Sequence, residues 1–254
     1  MNIGTFNDFF REMHGYDPYD WQTRMCQQVL KTGWSDFIQL PTGSGKTSVL
    51  DIAVFALAAQ ADRPAVERTT GTRIFFVIDR RIVVDEADRC ARQLASHLRS
   101  SLQSSDCSAT KSVAENLLAI AKSDGRIETS QMPIDPLAVH TLRGGFYRTN
   151  DWASSLVQPT IVTSTVDQVG SRMLFRGYGI SPTARPLQAA LVATDSLLIL
   201  DEAHTATAMG DTIQIVRKHQ SHAQEGSPIV RPMIAVQMTA TLPEGVEESG
   251  DNVF

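Results

Sequence analysis

A chain of 254 residues with 42% hydrophobic side chains is long enough to bury the core of one large α/β domain. Its formal net charge of -5 excludes a surface that holds nucleic acid through global basicity, so any such contact must follow a local track. Cys26, Cys90 and Cys107 show no CxxC spacing and no His/Cys cluster, which gives no support for a disulfide framework or a structural zinc site, and with no leader and no run of about 20 apolar residues a soluble cytoplasmic protein, away from the membrane, is expected.

In chain order, residues 1–36 read as an N-terminal segment and residues 37–254 as the core. In the first segment Trp21 stands at helical spacing from Met25, which predicts a packing role. Short apolar, β-branched runs at 37–40, 73–78, 160–164, 197–200 and 233–238 alternate with helical patterns. That alternation predicts a parallel β-sheet with helices on both faces. Residues 47–59, TSVLDIAVFALAA, are apolar nearly all round and suit a helix packed deep on the sheet. After the second strand, Val83, Ala87, Cys90 or Ala91, Leu94 and Leu98 recur every three or four residues opposite Asp85, Asp88, Arg89 and Arg92, so that helix is half exposed. Residues 61–72 and 102–136 are richer in Ser, Thr, Asp and Pro and read as insertions, the second holding a short helix at 113–121. The terminal SGDNVF follows a strand and turn with no closing element, and a domain boundary is expected there.

Two sites carry chemistry. FIQLPTGSGKT places a strand, a glycine turn and a helix start in the order a phosphate site requires. Gly43 and Gly45 allow close backbone approach, so amides from Thr42 and Gly43 through Ser44, Gly45 and Thr47 can converge on phosphate oxygens. Lys46 adds a mobile positive charge, and the Thr47 hydroxyl is a Mg²⁺ ligand. Leu40 stands where the strict pattern has Gly. LLILDEAH puts Asp201 at the end of an apolar strand, where ligands of an open α/β sheet bind. Asp201 is expected to hold the metal, and Glu202 to deprotonate an attacking water. His204 is expected either to couple phosphate state to its neighbours or to serve as a structural hydrogen-bonder.

PTGSGKT, then DEAH about 155 residues later, then MTAT at 238–241, resembles the first motor domain of superfamily 2 helicases, a RecA-like P-loop NTPase fold. The resemblance implies ATP and Mg²⁺ as cofactors and further roles by position. Gln22 would read adenine; Arg80 and Arg81, following Asp79, would contact nucleic acid, as would Gly144 beside Gly145, and Thr165 with Asp167. Thr239 and Thr241 would couple the two activities. VIDRRIVVDEA and STVDQVGSRMLFRGYG narrow the likeness to the helicase-nuclease of type I CRISPR systems. That implies single-stranded DNA as track, 3′ to 5′ movement, an RNA-guided surveillance complex as recruiter and an HD-type nuclease. Neither that nuclease before Gln22 nor a second RecA-like lobe after Thr241 has room here, so a longer parent protein, or a separately encoded nuclease, is expected. Without the second lobe and its arginine fingers, slow turnover is expected. A docking module without chemistry, an RNA helicase, and a chromatin- or restriction-type translocase are the alternatives.

Between His140 and Leu191, Arg143, Arg148, Arg172, Arg176 and Arg185 face only Asp151 and Asp167, which makes a phosphate track plausible on composition. Phe146, Tyr147, Phe175 and Tyr178, beside glycine turns, are expected to pack rather than to stack on bases.

Overall fold

A computed structural model describes residues 3–41, 43–79, 81–123, 134–143, 151–223, 231–241 and 253–254, without the side chains of 81–83 and 222–223. Two helices open the chain, α1 (Phe6–His14) and α2 (Asp20–Thr32). Then come β1 (Phe37–Gln39), α3 (Val49–Ala59), β2 (Arg73–Ile78), α4 (Arg81–Ser101), α5 (Ala109–Ala121) and β3 (Ala138–Leu142). The second half holds β4 (Thr160–Thr165), α6 (Val166–Met173), α7 (Arg185–Ala193), β5 (Ser196–Leu200), α8 (Thr207–Ala223) and β6 (Ile234–Thr239). The strands form one parallel sheet in the order β1-β6-β5-β2-β4-β3.

Strand side chains alternate between two cores, as the period of two requires. Ile74, Phe76, Ile161, Leu197, Ile199 and Val236 face a core shared with α1 to α5, while Phe75, Val77, Val162, Leu198, Leu200 and Ala235 face one shared with α6 and α8. Helices therefore cover both faces, the α/β arrangement that the alternation of elements predicts and that the resemblance to a RecA-like domain implies. β2, β4 and β5 are buried along their whole length, which explains the near-continuous apolar runs of β2 and β5, while β4 buries threonine and serine side chains. On α4 the inward stripe is Val84, Ala87, Ala91, Leu94 and Leu98.

Three expectations need correction. Residues 102–136 are not merely an insertion, because α5 buries Val113, Ala114, Leu117 and Ile120 in the first core. Its N-terminus is capped from α1, whose Glu12 carboxylate accepts from Ala109 N at 3.1 Å and Thr110 N at 2.8 Å. β3 is an additional strand at the sheet edge, mostly half-buried and interrupted by His140 and Thr141, hence invisible as an apolar run. The last residues do contribute to closing the sheet, since Val253 bridges Phe37 and Gln39 N donates to Phe254 O at 2.9 Å.

Candidate nucleotide site

The carboxyl ends of β1, β5 and β6 assemble one site. After β1, the loop passes Gly43 and Ser44 to Gly45, at φ +76°, then through a 3-10 turn at Lys46–Ser48 into α3. That left-handed geometry costs a residue with a β-carbon about 1 kcal/mol or more, so glycine belongs there. Thr42 lies outside the described residues. The loop is braced from α2. Trp21 Nε1 donates to Ser44 O at 3.2 Å, and Gln22 Nε2 donates to Ser48 Oγ at 2.6 Å. Gln22 Oε1 accepts from Tyr19 N at 2.7 Å, and the side chain is 2% exposed. Gln22 is thus a strut under the loop in this structure. Trp21 is half-buried against the core, as its spacing predicts, but its indole N–H bracing the phosphate loop was not legible from spacing.

Lys46, 9% exposed, brings its Nζ to 3.2 Å from Glu202 Oε1. Asp201 follows β5 and its amide donates to Val77 O of β2 at 2.9 Å. Glu202 sits at φ +50°, a strained conformation for a non-glycine residue, and strain of this kind collects at functional sites. Its amide donates to Asp201 Oδ1 at 3.0 Å. His204 Nδ1 lies 3.4 Å from Glu202 Oε2 and 3.4 Å from Thr239 Oγ1. Thr239 Oγ1 donates to Thr241 O at 2.7 Å and accepts from Thr241 N at 3.2 Å. A single chain of polar contacts therefore runs from Lys46 through Glu202 and His204 to Thr239 and Thr241.

Burial, and then the adjoining Glu202 charge, push the Asp201 carboxyl above its ordinary range, against a lowering pull from Lys46. A carboxyl raised in the folded state costs stability that grows as pH climbs from 3.8 through the raised value and is present in full above it. Two carboxylates against one lysine leave the site short of positive charge, which fits a hard divalent cation with oxygen ligands. Asp201→Asn is accordingly expected to raise the melting temperature, by about 2–4 °C for each kcal/mol relieved, while weakening Mg²⁺-dependent nucleotide binding. Calorimetry beside nucleotide titration checks both, and a lowered melting temperature would contradict the electrostatic account.

A cavity of about 330 Å³ adjoins the outer face of the loop, bordered by Tyr19, Gln22, Gly45, Thr47 and, deeper, His14 and Asp51. Half-buried Thr47 therefore shares this wall with the loop glycine. His14 Nε2 lies 3.2 Å from Asp51 Oδ1, and that hydrogen bond holds the imidazole pKa above its ordinary 6.5 against the opposing effect of burial. The stabilisation is complete below pH 6.5 and is lost as pH rises through the raised value. The stability gap between wild type and His14→Gln, measured by urea unfolding, is expected to shrink from pH 6 to pH 8.

Over residues 15–244 the sequence matches the family described as type III restriction enzyme, res subunit. The chain belongs to that family. Its fold aligns with the crystal structure of the yeast DEAD-box splicing factor Prp28 at a TM-score of 0.50 and 18% identity, covering 96% of this chain and 46% of that one. The chain thus spans less than half the length of that protein chain. No curated protein matches the sequence. This res-subunit family domain is a helicase-type ATP-binding domain of superfamily 2, and its family uses ATP. Among the described residues no helix is long and apolar enough to cross a membrane.

The remaining strands of the res-subunit domain, β2, β4 and β3, end beside one another and carry the nucleic-acid candidates. Arg80 and Gly144 lie outside the described residues, as does Arg148, and Arg81 opens α4 with its side chain undescribed. Thr165 is 5% exposed at the end of β4, and Asp167 is exposed in the first turn of α6. The five-arginine track needs correction. Arg172 is 3% exposed, donates to Gln168 O at 2.7 Å and Gln188 Oε1 at 2.8 Å, and lies over Trp152, so it serves the interior. Arg143 is paired with Asp85. Arg176 and Arg185 keep surface access.

Proposed function

We propose that this domain is the nucleotide-binding lobe of an ATP-driven translocase that moves on single-stranded DNA in type I CRISPR interference. The observation that carries the ATPase half is the 3.2 Å contact of Lys46 with Glu202, two residues 156 apart in sequence. It puts a cation and a candidate base at one point beside an amide cradle. ATP with Mg²⁺ supplies the transferable phosphoryl group and the charge that neutralises it. Around it, Lys46 and the amides of Gly43 to Thr47 would hold phosphate oxygens, Thr47 and Asp201 would offer metal ligands, and Gln22, the adenine reader by resemblance, would have to give up its contacts with Ser48 and Tyr19 to meet the base. Glu202 orients the attacking water and accepts its proton. His204, Thr239 and Thr241 pass the occupancy of the site to the lobe's edge. VIDRRIVVDEA and STVDQVGSRMLFRGYG support the CRISPR assignment by resemblance. It carries with it a second RecA-like lobe, an HD-type nuclease and an RNA-guided surveillance complex as partners.

A second reading, a restriction-type translocase on duplex DNA, is favoured by the description of the matching family. Phosphate release by this chain together with the second lobe, stimulated in turn by single-stranded DNA, duplex DNA and single-stranded RNA, separates the two. The CRISPR reading expects single-stranded DNA to stimulate most. Stimulation by duplex alone would replace it with the restriction reading, and stimulation by RNA alone would sink both. The isolated chain is expected to turn over slowly, because the opposing arginines contribute on the order of 10³-fold or more.

A further inference from the structure

The loop that leaves α6 does not behave as its sequence predicts. Phe175 and Tyr178, expected to pack beside their glycines, are 61% and 54% exposed, next to Leu174 at 58% and, in α7, Leu187 at 48%. Apolar side chains exposed singly need no explanation, but this group is held outward by its backbone. Phe175 has φ +56°, a conformation rare for an aromatic residue. Ser171 O accepts from both Arg176 N at 2.7 Å and Gly177 N at 3.0 Å, and Phe175 N donates to Arg172 O at 3.0 Å. Ile180, 7% exposed, anchors the far side, so close that a β-carbon on Gly177 would lie 2.6 Å from its Cδ1. The rings are thus presented by a built loop, with little freedom left to lose on contact.

Charge narrows what they meet. Residues 168–194 contain Arg172, Arg176 and Arg185 and no Asp or Glu. Arg172 is spent internally, while Arg176 is exposed and Arg185 Nε is buried without a hydrogen-bond partner. Exposed aromatic faces interleaved with arginines and free of acids match a polyanion that also offers flat rings, which is a single-stranded nucleic acid. α6, about 12 Å long, joins this loop to Thr165 and Asp167 at the proposed nucleic-acid edge.

We infer that Phe175 and Tyr178 form a stacking platform for unpaired bases, with Arg176 on a backbone phosphate. This rests on the reading of the domain as a nucleic-acid motor. The test is fluorescence anisotropy of a labelled oligothymidine and of an abasic strand of equal length, with binding of a fluorescent ATP analogue followed in parallel. Phe175→Ala and Tyr178→Ala are each expected to weaken oligothymidine binding about 5- to 100-fold, and Phe175→Trp to retain it. Abasic strand should bind the unaltered chain as weakly as oligothymidine binds the double variant. Phe175→Gly, which relieves the left-handed strain, should melt higher than the unaltered chain while losing binding, so a folding defect cannot mimic the result. Arg176→Gln should lower the salt dependence by roughly one phosphate contact. Equal binding of both strands and tolerance of every aromatic variant would overturn the platform, leave the motor reading intact and return the patch to a protein partner. ATP-analogue binding with no nucleic-acid binding at all would overturn the platform and the nucleic-acid half of the motor reading together.

Discussion

Glu202→Gln will lower ATP turnover about 10²- to 10⁴-fold when the chain acts with the proposed second lobe, while affinity for ATP holds or rises. Glutamine keeps the shape of the side chain and can still orient a water, but it cannot take the proton. The rise in affinity follows from two contacts. Lys46 Nζ, 3.2 Å from Glu202 Oε1, is released to phosphate, and Asp201 loses a neighbouring charge that raises its pKa. Single-turnover phosphate release beside titration with a fluorescent ATP analogue reads both effects. Turnover within tenfold of the unaltered protein would remove Glu202 from the role of base.

Lys46→Ala acts in the opposite direction on binding. A charge-assisted contact to phosphate is worth about 1.5–3 kcal/mol, so ATP affinity should fall about 10- to 100-fold, and turnover with it. The loss is deepened by what remains, because Lys46 is the cation that lowers the Asp201 pKa. Without it Asp201 is less ready to ionise and to receive a metal. The same titration in Mg²⁺ and in chelator separates the two contributions. ATP affinity unchanged by the substitution would show that the loop is not a phosphate cradle.

What the sequence disclosed follows the range over which each feature is encoded. β2 and β5 announce themselves because burial on both faces demands near-continuous apolar runs, and β1, β4 and β6 show shorter apolar or β-branched stretches. β3, with His140 and Thr141 on a half-buried edge, makes no such demand. α1 carries a local signal, the Thr5–Asp8 capping box ahead of phenylalanines on one face, and a closer reading finds it. The glycine loop and the Asp201–Glu202 pair are legible because local backbone geometry and adjacent charges specify them. Trp21 on Ser44 and His14 on Asp51 are partners 23 and 37 residues apart, joined only once α1 and α2 dock, and no pattern along the chain encodes that. The aromatic loop misled for a similar reason, since spacing cannot reveal a phenylalanine held in a left-handed conformation.

The strand order divides the sheet between two trades. β1, β6 and β5 end in the candidate nucleotide residues; β2, β4 and β3 end in the nucleic-acid candidates. They meet along one seam, β5 against β2, with pairs from Arg73 and Ser196 to Val77 and Leu200 and with the Asp201 amide bonded to Val77 O at its upper end. Every strand residue along that seam is buried, so it has no room to shear or bend. The lobe is thus a stiff jaw. In the proposed motor, hydrolysis would change the angle at which that jaw meets a second lobe, and stepping along a strand would be a property of two rigid bodies and the hinge between them.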